Sequence, residues 1–500
     1  MKVLVIGGGG REHAICWKLA QSPKVTELYC APGNGGIAQV AQCVPIKATD
    51  VDGMVAWAKE NAMDFVMVAP DDPLALGMVD ALEQAGIPAF GPRANAAIIE
   101  ASKAFSKELM KKYHIPTAKY KTFTELEKAL SYIREQGAPI VVKADGLALG
   151  KGVVVASTVE EAETAAREMM EDKKFGESGS TVVIEECMTG PEVTVLAFCD
   201  GEHLTPMLSS QDHKRAYDGN QGPNTGGMGA FCPSPKYTPE IAQRCVKEIF
   251  LPTVAALKAE GRPFKGVIYF GLMLTVDGPK VVEYNARFGD PETQPILSML
   301  DTDLMDIFQA CVDGALDKVD IQWKKGAACC LVLASGGYPV SYKSGHPISG
   351  LAEAEALGAT VFHAGTKKSD SGEILTAGGR VLGVTATGET LQDAVRRAYE
   401  AAGTIRWEER QLRWDIGKRA FSALPPRKLC PLCGSGPIHR AVVKGTGDVI
   451  SVCEECDTVW KQAGEGTLVT DLTVCLEELD IPPLWEELEL LATLDENDQL

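Results

Sequence analysis

Hydrophobic and polar positions alternate in short blocks over the first hundred residues. Apolar, β-rich runs at 2–6, 27–30 and 65–68 are each followed by a helical stretch. Strands alternating with helices in this order are typical of a parallel sheet wound with helices. Residues 1–100 are therefore predicted to form an N-terminal α/β domain around a doubly wound parallel sheet.

The rest of the chain is predicted to be α/β and α+β in further units, because 500 residues exceed one ordinary core. The units are 101–190 with a leading helical segment, 191–325, a small α+β domain at 326–422, a cysteine-bearing segment at 427–462 and an acidic tail at 463–500. Leucines at helical spacing among glutamates over 484–494 predict a helix in this tail.

Composition limits the function classes. The chain is 45% hydrophobic and 23% charged, with a net charge of −19. This balance argues against broad nucleic-acid or membrane-surface binding, so anionic substrates require local positive sites. The sequence contains neither an apolar run of the roughly 20 residues that cross a bilayer nor a signal-peptide pattern, which predicts a cytoplasmic protein. Fifteen cysteines in such a chain do not indicate a disulfide framework.

Two glycine-rich loops follow the first two predicted strands. They comprise Gly8, Gly9, Gly10 and Arg11 in the first loop, and Gly33, Asn34, Gly35 and Gly36 in the second. Glycines before a helix allow close approach to a phosphate. A dinucleotide site would need Gly at position 12 and an acid ending the second strand, and both are missing. The loops therefore indicate either a single phosphate monoester or turns with a purely structural role.

A possible nucleotide site starts at a strand that ends in Lys143. A buried ammonium there is costly without an anion. A glycine-rich turn with Gly150, Lys151 and Gly152 follows, which is not a Walker loop but could fold over a triphosphate. A further strand ends in Glu185 and Glu186, acids that could accept from an adenine amino group or from ribose. Taken singly, each element is more often an ordinary hairpin or a solvated surface.

A third pattern suits a divalent metal. Glu283 and Asn285 stand two residues apart in a predicted strand and so share one face. Paired oxygens of this kind suit Mg²⁺, which takes the rest of its shell from water and phosphate. Arg287 continues the same face as a fork for a carboxylate or phosphate. An edge strand with a polar face explains this combination poorly.

The order of these elements resembles the ATP-grasp fold, and two longer motifs narrow the resemblance. They are Gln211-Asp212-His213-Lys214-Arg215-Ala216-Tyr217-Asp218, with Gly222 to Gly229 after it, and Arg287 to Glu292. Together they are similar to the phosphoribosylamine–glycine ligase family over roughly residues 1–422. The resemblance also includes a Ser102-Lys103 pair and a closing Arg413-Trp414-Asp415-Ile416-Gly417.

The resemblance implies an ATP-dependent ligation of glycine to 5-phosphoribosylamine through glycyl phosphate. It implies an N-terminal substrate domain at 1–100, ATP-grasp subdomains at 101–190 and 191–325, and Mg²⁺ or Mn²⁺ as cofactor. The implied ATP contacts are Lys103, Lys143, the Gly150–Gly152 flap, Glu185, Glu186, Cys187, Met188 and Glu192. The implied metal ligands are Glu283 and Asn285, and the implied substrate contacts are the two glycine loops with Arg11, Asp71, Asp212, Lys214 and Arg287. Lys143, Asp212 and Arg287 are the implied catalytic residues.

One position departs from the family pattern, which has Gly-Pro-Glu where this chain has Ala69-Pro70-Asp71. Asp71 keeps a carboxylate but is one methylene shorter, so a direct contact from it to the amine substrate is in question. Two rival functions are also open. One is an ATP-grasp ligase with other substrates, carboxylase-like or for another amino acid. The other is an interaction protein that binds nucleotide without turnover.

The C-terminal cysteines are a separate matter. Cys430 and Cys433 form one Cys-x-x-Cys pair, and Cys453 and Cys456 form a second, with 19 residues between the pairs (453 − 433 − 1). This spacing is typical of structural Cys₄ zinc sites. A redox motif would leave one pair idle, and unligated cysteines in a small core are the other alternative. The acidic tail favours a protein contact for this zinc ribbon over nucleic acid.

Overall fold

The computed structural model describes most of the chain in two compact units. The described residues are 1–146, 152–171, 179–421, 430–432, 438–444, 446, 448–453, 456–463, 466–479 and 488–493. One unit comprises Met1–Thr275 and Pro279–Phe421, and the other comprises Val276–Gly278 and Ser422–Leu500. Within the described residues, every helix is too short or too polar to span a bilayer.

The N-terminal part of the first unit is a five-stranded parallel sheet with helices between its strands. Its strands are β1 (Lys2–Gly7), β2 (Glu27–Pro32), β3 (Gln42–Cys43), β4 (Phe65–Val68) and β5 (Ala89–Phe90), in the order β3-β2-β1-β4-β5. Its helices are α1 (Gly10–Leu19), α2 (Val51–Glu60), α3 (Asp71–Ala75), α4 (Met78–Gln84) and α5 (Ala94–Ala101). The order reverses at β1, so the loops after β1 and β4 meet at a switch point, where α/β sheets bind ligands.

The central part consists of two four-stranded sheets. The first has the order β6-β9-β7-β8, with β6 (Tyr120–Phe123), β7 (Ile140–Ala144), β8 (Val153–Ala156) and β9 (Val182–Glu186), and with α6 (Lys103–Lys112), α7 (Leu126–Gln136) and α8 (Val159–Met170). The second has the order β11-β10-β16-β17, with β10 (Glu192–Asp200), β11 (Leu204–Pro206), β16 (Lys265–Thr275) and β17 (Gly278–Asn285). Strands β7 and β17 carry the predicted lysine and metal pair.

A third sheet contains strands from both the central part and the C-terminal part of the first unit. Strands β12 (Gln211–Asp212), β15 (Gly229–Cys232), β18 (Ala327–Ser335), β22 (Arg380–Gly388) and β19 (Thr360–His363) pair in that order, and β23 (Arg410–Gln411) pairs with β18. Two hairpins stand apart, β13 (Arg215–Tyr217) with β14 (Gln221–Asn224), and β20 (Thr366–Lys368) with β21 (Ile374–Thr376). The two ends of the 211–229 motif therefore lie in one sheet with β22, and the β13–β14 hairpin lies between them in sequence.

The remaining helices of the first unit cover these sheets. They are α9 (Pro239–Cys245), a π-helical segment at Val246–Phe250, α10 (Leu251–Ala259), α11 (Thr293–Met299), α12 (Leu304–Asp313), α13 (Leu351–Ala356), α14 (Leu391–Ala402) and α15 (Lys418–Phe421), with 3₁₀ turns at Ile37–Gln39, Asp218–Asn220 and Leu316–Lys318. Phe308 of α12 stacks on Phe90 with ring centroids 4.1 Å apart, and both are fully buried. The predicted fold class is confirmed.

The described part of the second unit comprises a five-stranded antiparallel sheet and one helix. Strands β24 (Ile438–Val443), β25 (Val449–Cys453), β26 (Thr458–Ala463), β27 (Gly466–Asp471) and β28 (Leu488–Thr493) pair in the order β27-β26-β25-β24-β28, and α16 spans Leu472–Glu477. The predicted helix over 484–494 is wrong at 488–493, where the chain is a strand paired with β24. Short apolar segments fit both periods, and burial of Leu488 in this unit's core favours the strand.

This sheet also changes the proposed division of the C-terminal region. A boundary between 462 and 463 falls inside β26, and strands from both sides of it pair in one sheet. The described strands β24 to β28 therefore belong to one sheet that crosses the predicted boundary.

Candidate active site

One cavity of about 770 Å³ in the first unit collects most of the predicted site residues. Its lining includes Arg11, Asp71, Lys103, Lys143, Gly152, Glu185, Glu186, Cys187, Met188, Glu192, Asp212, Lys214, Glu283, Asn285 and Arg287. Residues from β7, β9, β17 and the 211–229 motif therefore meet in one cleft. A separation of Lys143 from the Glu283–Asn285 pair would have contradicted the sequence-based hypothesis, and the two line the same space.

Lys143 is held where β7 ends. Its Nζ donates to the Val282 carbonyl of β17 at 3.1 Å and lies 3.0 Å from Glu185 Oε2. Lys103, at the start of α6, donates from Nζ to the Gly146 carbonyl at 3.0 Å. Burial lowers the pKa of Lys103. Two cations from different elements thus face one cleft, an arrangement that suits an anionic ligand such as a polyphosphate.

The Glu283–Asn285 pair faces the cleft from β17 as the strand pattern predicts. Glu283 Oε1 accepts from Lys214 Nζ at 3.1 Å, and Lys214, helped by Lys143, lowers the pKa of Glu283 to about 2. Asn285 Oδ1 accepts from Arg287 Nη2 at 3.3 Å. An ionised carboxylate beside an amide oxygen is a hard-ligand set that fits Mg²⁺ or Mn²⁺.

Arg287 is fixed by a residue that the sequence did not indicate. Its Nη2 lies 2.9 Å from Glu100 Oε1, while Glu100 Oε2 accepts from the Ala286 backbone at 2.7 Å. The buried Nε of Arg287 has no hydrogen-bond partner within the described part of the chain. Nη1 donates to the Phe288 carbonyl at 3.3 Å, so both terminal nitrogens have protein partners and Nε is the donor left over.

Several carboxylates surround this end of the cleft. Burial, together with nearby Glu292, raises the pKa of Asp212 well above its ordinary value. Asp290 is paired instead, since Arg380 Nη2 lies 3.0 Å from its Oδ2. Arg380 also donates to the Gly226 carbonyl at 2.6 Å, so the start of β22 closes this side of the cleft.

The two acids at the end of β9 have different surroundings. Glu185 is buried between lysines, whereas Glu186 Oε1 accepts from the Lys119 backbone at 3.0 Å. Cys187 and Met188 follow and line the cavity, as does Glu192 at the start of β10. The two acids predicted at the end of this strand therefore border the cleft, and Glu185 is the more deeply buried of them.

The glycines of the two loops pack against protein and are not among the described residues that line the cavity, whereas Arg11 of the first loop is. A Cβ at Gly8 would lie 2.6 Å from the Gly33 carbonyl oxygen, and one at Gly36 would lie 2.3 Å from the His363 ring. The Gly9 backbone donates to Glu12 Oε2 at 2.6 Å. These contacts give the glycines a packing role, and their phosphate role stays a prediction.

Histidines brace the second loop. Asn34 donates to the Gly8 and His363 carbonyls at 3.0 and 2.7 Å, and the His363 backbone donates to His13 Nδ1 at 2.7 Å. Because His13 Nδ1 accepts this hydrogen bond, it carries no proton. Burial lowers the pKa of His13 to about 3 and that of His363 to about 4.

Several cleft residues escaped the sequence analysis. They are Lys107, Glu100, Tyr269, Asp290, Glu292 and Arg380, all of which line the cavity. Asp290 and Glu292 lie inside the 287–292 motif and could have been singled out there. Lys107 follows Lys103 by one helical turn, a spacing that places both on one helix face. Arg380 had no local signal.

Three predicted residues lie outside the described residues, namely Gly150, Lys151 and Cys433. The other three C-terminal cysteines cluster in the second unit. Sγ atoms of Cys430, Cys453 and Cys456 lie within 4.8 Å of one another, and the Cys430–Cys456 distance is 3.6 Å.

The fold and cleft are those of an ATP-grasp enzyme, and the family models are more specific. Residues 101–293 match the ATP-grasp (A) domain of phosphoribosylglycinamide synthetase, residues 1–100 match its N domain and residues 328–419 match its C domain. The chain belongs to the phosphoribosylglycinamide synthetase family. The ATP-grasp class implies ATP with Mg²⁺ or Mn²⁺.

Relatives agree with this assignment. The chain is 52% identical over 425 residues to phosphoribosylamine–glycine ligase of Vibrio vulnificus, covering 84% of this chain and 99% of that protein. It is 50% identical over 424 residues to the Salmonella typhimurium ligase, with the same coverage. The crystal structure of the Thermotoga maritima ligase superposes with a TM-score of 0.73 at 31% identity, covering 83% of this chain and 100% of that one. Campylobacter jejuni biotin carboxylase, 13% identical with a TM-score of 0.64 over 82% and 92% of the two chains, shares the fold alone.

The neutral histidines predict an acid-sensitive loop. Below pH 6.5 the unfolded chain protonates His13 while the folded chain does not, so stability falls by about 1.4 kcal/mol per pH unit for this group until the pH nears the folded pKa. His13→Asn retains an acceptor but cannot titrate, so its free energy of unfolding should fall less steeply than wild type between pH 6.5 and 5. Urea unfolding at several pH values measures the slope. His114→Asn, at an exposed position, should keep the wild-type slope, and an equally steep slope in His13→Asn would contradict the assignment.

Proposed function

We propose that this chain joins glycine to 5-phosphoribosylamine and converts ATP to ADP and phosphate in the process. This is the reaction that the names of its relatives describe, and it is a step of purine biosynthesis. The observation that carries the proposal is the convergence of Lys143, the Glu283–Asn285 pair and the Arg287 guanidinium on one cavity. Half of the aligned residues are identical to such ligases over nearly their whole length. Action in the cytoplasm and on small molecules rather than nucleic acid stays a prediction.

The nucleotide occupies the part of the cleft between the two four-stranded sheets in this proposal. Lys103 and Lys143 contact its phosphates, and the flap containing Gly150 to Gly152 closes over them. In this proposal, the base is contacted by Glu185, Cys187 and Met188. Glu186 and Glu192 lie near the edge of the base and near the ribose. The position of Lys143 supports this placement, because its ammonium group is buried and donates to a backbone carbonyl of β17, the strand that carries Glu283 and Asn285.

Glu283 and Asn285 would hold Mg²⁺ or Mn²⁺, which supplies positive charge at the terminal phosphate. The neighbouring cations keep Glu283 ionised, which fits this role. The amino acid and the ribose phosphate occupy the opposite end. The proposed contacts of these two substrates are Arg287, Arg11, Asp71, Asp212 and Lys214, together with the glycine loops at 8–10 and 33–36.

The reaction then has two displacements. A carboxylate oxygen of glycine attacks the γ-phosphorus, a new O–P bond forms, the bond to the β-phosphate oxygen breaks and ADP leaves. The amine nitrogen next attacks the carbonyl carbon of glycyl phosphate, the C–O bond to phosphate breaks and the nitrogen loses a proton. Lys143 and Lys103 offset charge on the transferring oxygens. Closure of the flap would exclude water from the acyl phosphate.

The carboxylase-like alternative is distinguished by substrate dependence. Over many turnovers, wild-type enzyme should release ADP only when glycine and phosphoribosylamine are both present, and bicarbonate should not replace glycine. Release that depends on bicarbonate would contradict the proposal. ATP binding without any release would favour the non-catalytic alternative.

Removal of the metal-binding charge should abolish most activity. Glu283→Gln is expected to lower kcat/KM by about 10²–10³-fold, the usual effect of losing one group that stabilises charge in the transition state. A coupled ADP assay measures it across a Mg²⁺ titration. Glu202→Gln removes a carboxylate paired with Lys258 at an exposed site and should behave as wild type. An unchanged kcat/KM in Glu283→Gln would contradict the role of this residue.

We also propose that Cys430, Cys433, Cys453 and Cys456 hold one structural zinc ion. Tetrahedral thiolates with Zn–S bonds of about 2.3 Å stand about 3.8 Å apart. The Cys430–Cys456 separation of 3.6 Å and the clustering of Cys453 with them support this ligand set. Four sulfur ligands leave no open position, which indicates a structural site.

Zinc content tests this second proposal. Chain purified without chelator should contain one zinc per molecule by mass spectrometry, and Cys453→Ser should contain much less because one thiolate is lost. Cys43→Ser removes an exposed cysteine of the other unit and should leave the zinc content unchanged. Zinc-free protein that also takes up none on reconstitution would contradict the site, and a Cys-Cys disulfide in native protein would favour the redox alternative.

A further inference from the structure

Two buried lysines share one carboxylate at the nucleotide end of the cleft. Glu185 Oε2 lies 3.0 Å from Lys107 Nζ and 3.0 Å from Lys143 Nζ. The three residues are 3%, 2% and 4% exposed, in that order. Lys143 already has a proposed contact with phosphate, whereas no role has been given to Lys107.

Lys107 is fixed on several sides. Its Nζ also donates to Thr117 Oγ1 at 2.8 Å, and that hydroxyl donates to the Val281 carbonyl at 2.7 Å. The ammonium lies 5.5 Å from the centre of the Tyr120 ring. Helix α6, strand β6 and strand β17 therefore converge on this one side chain, which is too constrained to follow a moving ligand.

Charge makes Lys107 and Glu185 interdependent. A buried ammonium is costly without a paired anion, and removal of one partner from a buried pair leaves an uncompensated charge. Burial lowers the pKa of Lys107 to about 8, and Glu185 opposes that shift. Glu185 in turn has two lysine ammonium groups at a single carboxylate oxygen.

The other oxygen of Glu185 is directed differently. Among the described residues, Oε1 is buried and has no hydrogen-bond partner, although Glu185 lines the cavity. A buried acceptor without a donor is unfavourable, and a donor on a ligand would satisfy it. The base of a nucleotide with an exocyclic amino group supplies such a donor, and an oxo group in its place does not.

We propose that Lys107 is a positioning residue that holds Glu185 Oε2 jointly with Lys143 and thereby directs Oε1 at the nucleotide base. Through this contact, Lys107 gives the cleft a preference for a base that bears an amino group, and it keeps Lys143 aligned with the phosphates. The inference rests on the proposed function in one respect, since it places ATP at this end of the cleft. Lys107 acts through Glu185 and does not touch the nucleotide.

The experiment compares nucleotide affinities in the absence of glycine and phosphoribosylamine. Lys107→Met keeps the length and apolar stem but removes the charge. Its Kd for ATP should rise about 10–100-fold, while its Kd for inosine triphosphate, which bears an oxo group, should rise about tenfold less, matching the loss of one buried hydrogen bond. Calorimetry on the full chain measures both.

A double-mutant cycle separates positioning from a direct contact. If Lys107 acts through Glu185, the loss of base preference in Lys107→Met and in Glu185→Gln should not add in the double variant. Additive losses would overturn the inference. Lys107→Gln, which retains a hydrogen-bond donor, provides a second variant should the first one fold poorly, and it should show the same loss of base preference.

Lys112→Met is the matched control. Lys112 lies on the same helix and pairs with Glu260 at an exposed site. It should bind both nucleotides as wild type does, and a Lys107→Met protein that matches Lys112→Met would overturn the inference. Failure of the proposed function is distinguishable, because ADP release by wild type would then be independent of glycine while the base preference could still be measured.

Discussion

The cleft depends on balanced burial of like charges. A chain with a net charge of −19 must gather several cations at one point to hold a polyphosphate, and buried ammonium groups repel one another. The structure places carboxylates beside several of these cations. Glu185 lies between Lys107 and Lys143, Glu283 lies beside Lys214, and the neighbouring guanidinium of the 287–292 motif is paired with an acid from α5. These acids let positive charge persist inside the fold before any ligand arrives.

The same balance divides the site into two ends. At one end, Lys103, Lys143 and the residues where β9 ends surround a space suited to a nucleotide. At the other, Asp212 and Glu292 line the cleft together with Arg380 of β22 and Arg11 of α1. In the proposed reaction, Glu283 and Asn285 hold the metal at the point where the terminal phosphate passes from the nucleotide to the glycine carboxylate. Strand β17 thus connects binding to chemistry.

Patterns local in sequence were predictable, and contacts distant in sequence were not. The two-residue repeat of a strand placed Glu283 and Asn285 on one face, and strand-ending Lys143 followed from its apolar neighbours. Lys107 resembled an ordinary solvated helix residue, because its burial depends on β6 and β17 packing over it. Arg380 reaches the cleft from β22, about 90 residues beyond the 287–292 motif in the chain. The 484–494 segment fitted two periods, and only pairing with β24 decided between them.

The central claim is that a glycine carboxylate attacks the terminal phosphate of ATP in this cleft. The most direct test supplies glycine carrying heavy oxygen in its carboxylate, together with ATP, Mg²⁺ and phosphoribosylamine, and measures the label in the products by mass spectrometry. The account predicts one heavy oxygen in the released phosphate and one in the new amide. Unlabelled phosphate, with the amide formed at the same rate, would contradict an acyl phosphate and with it the proposed use of the cleft.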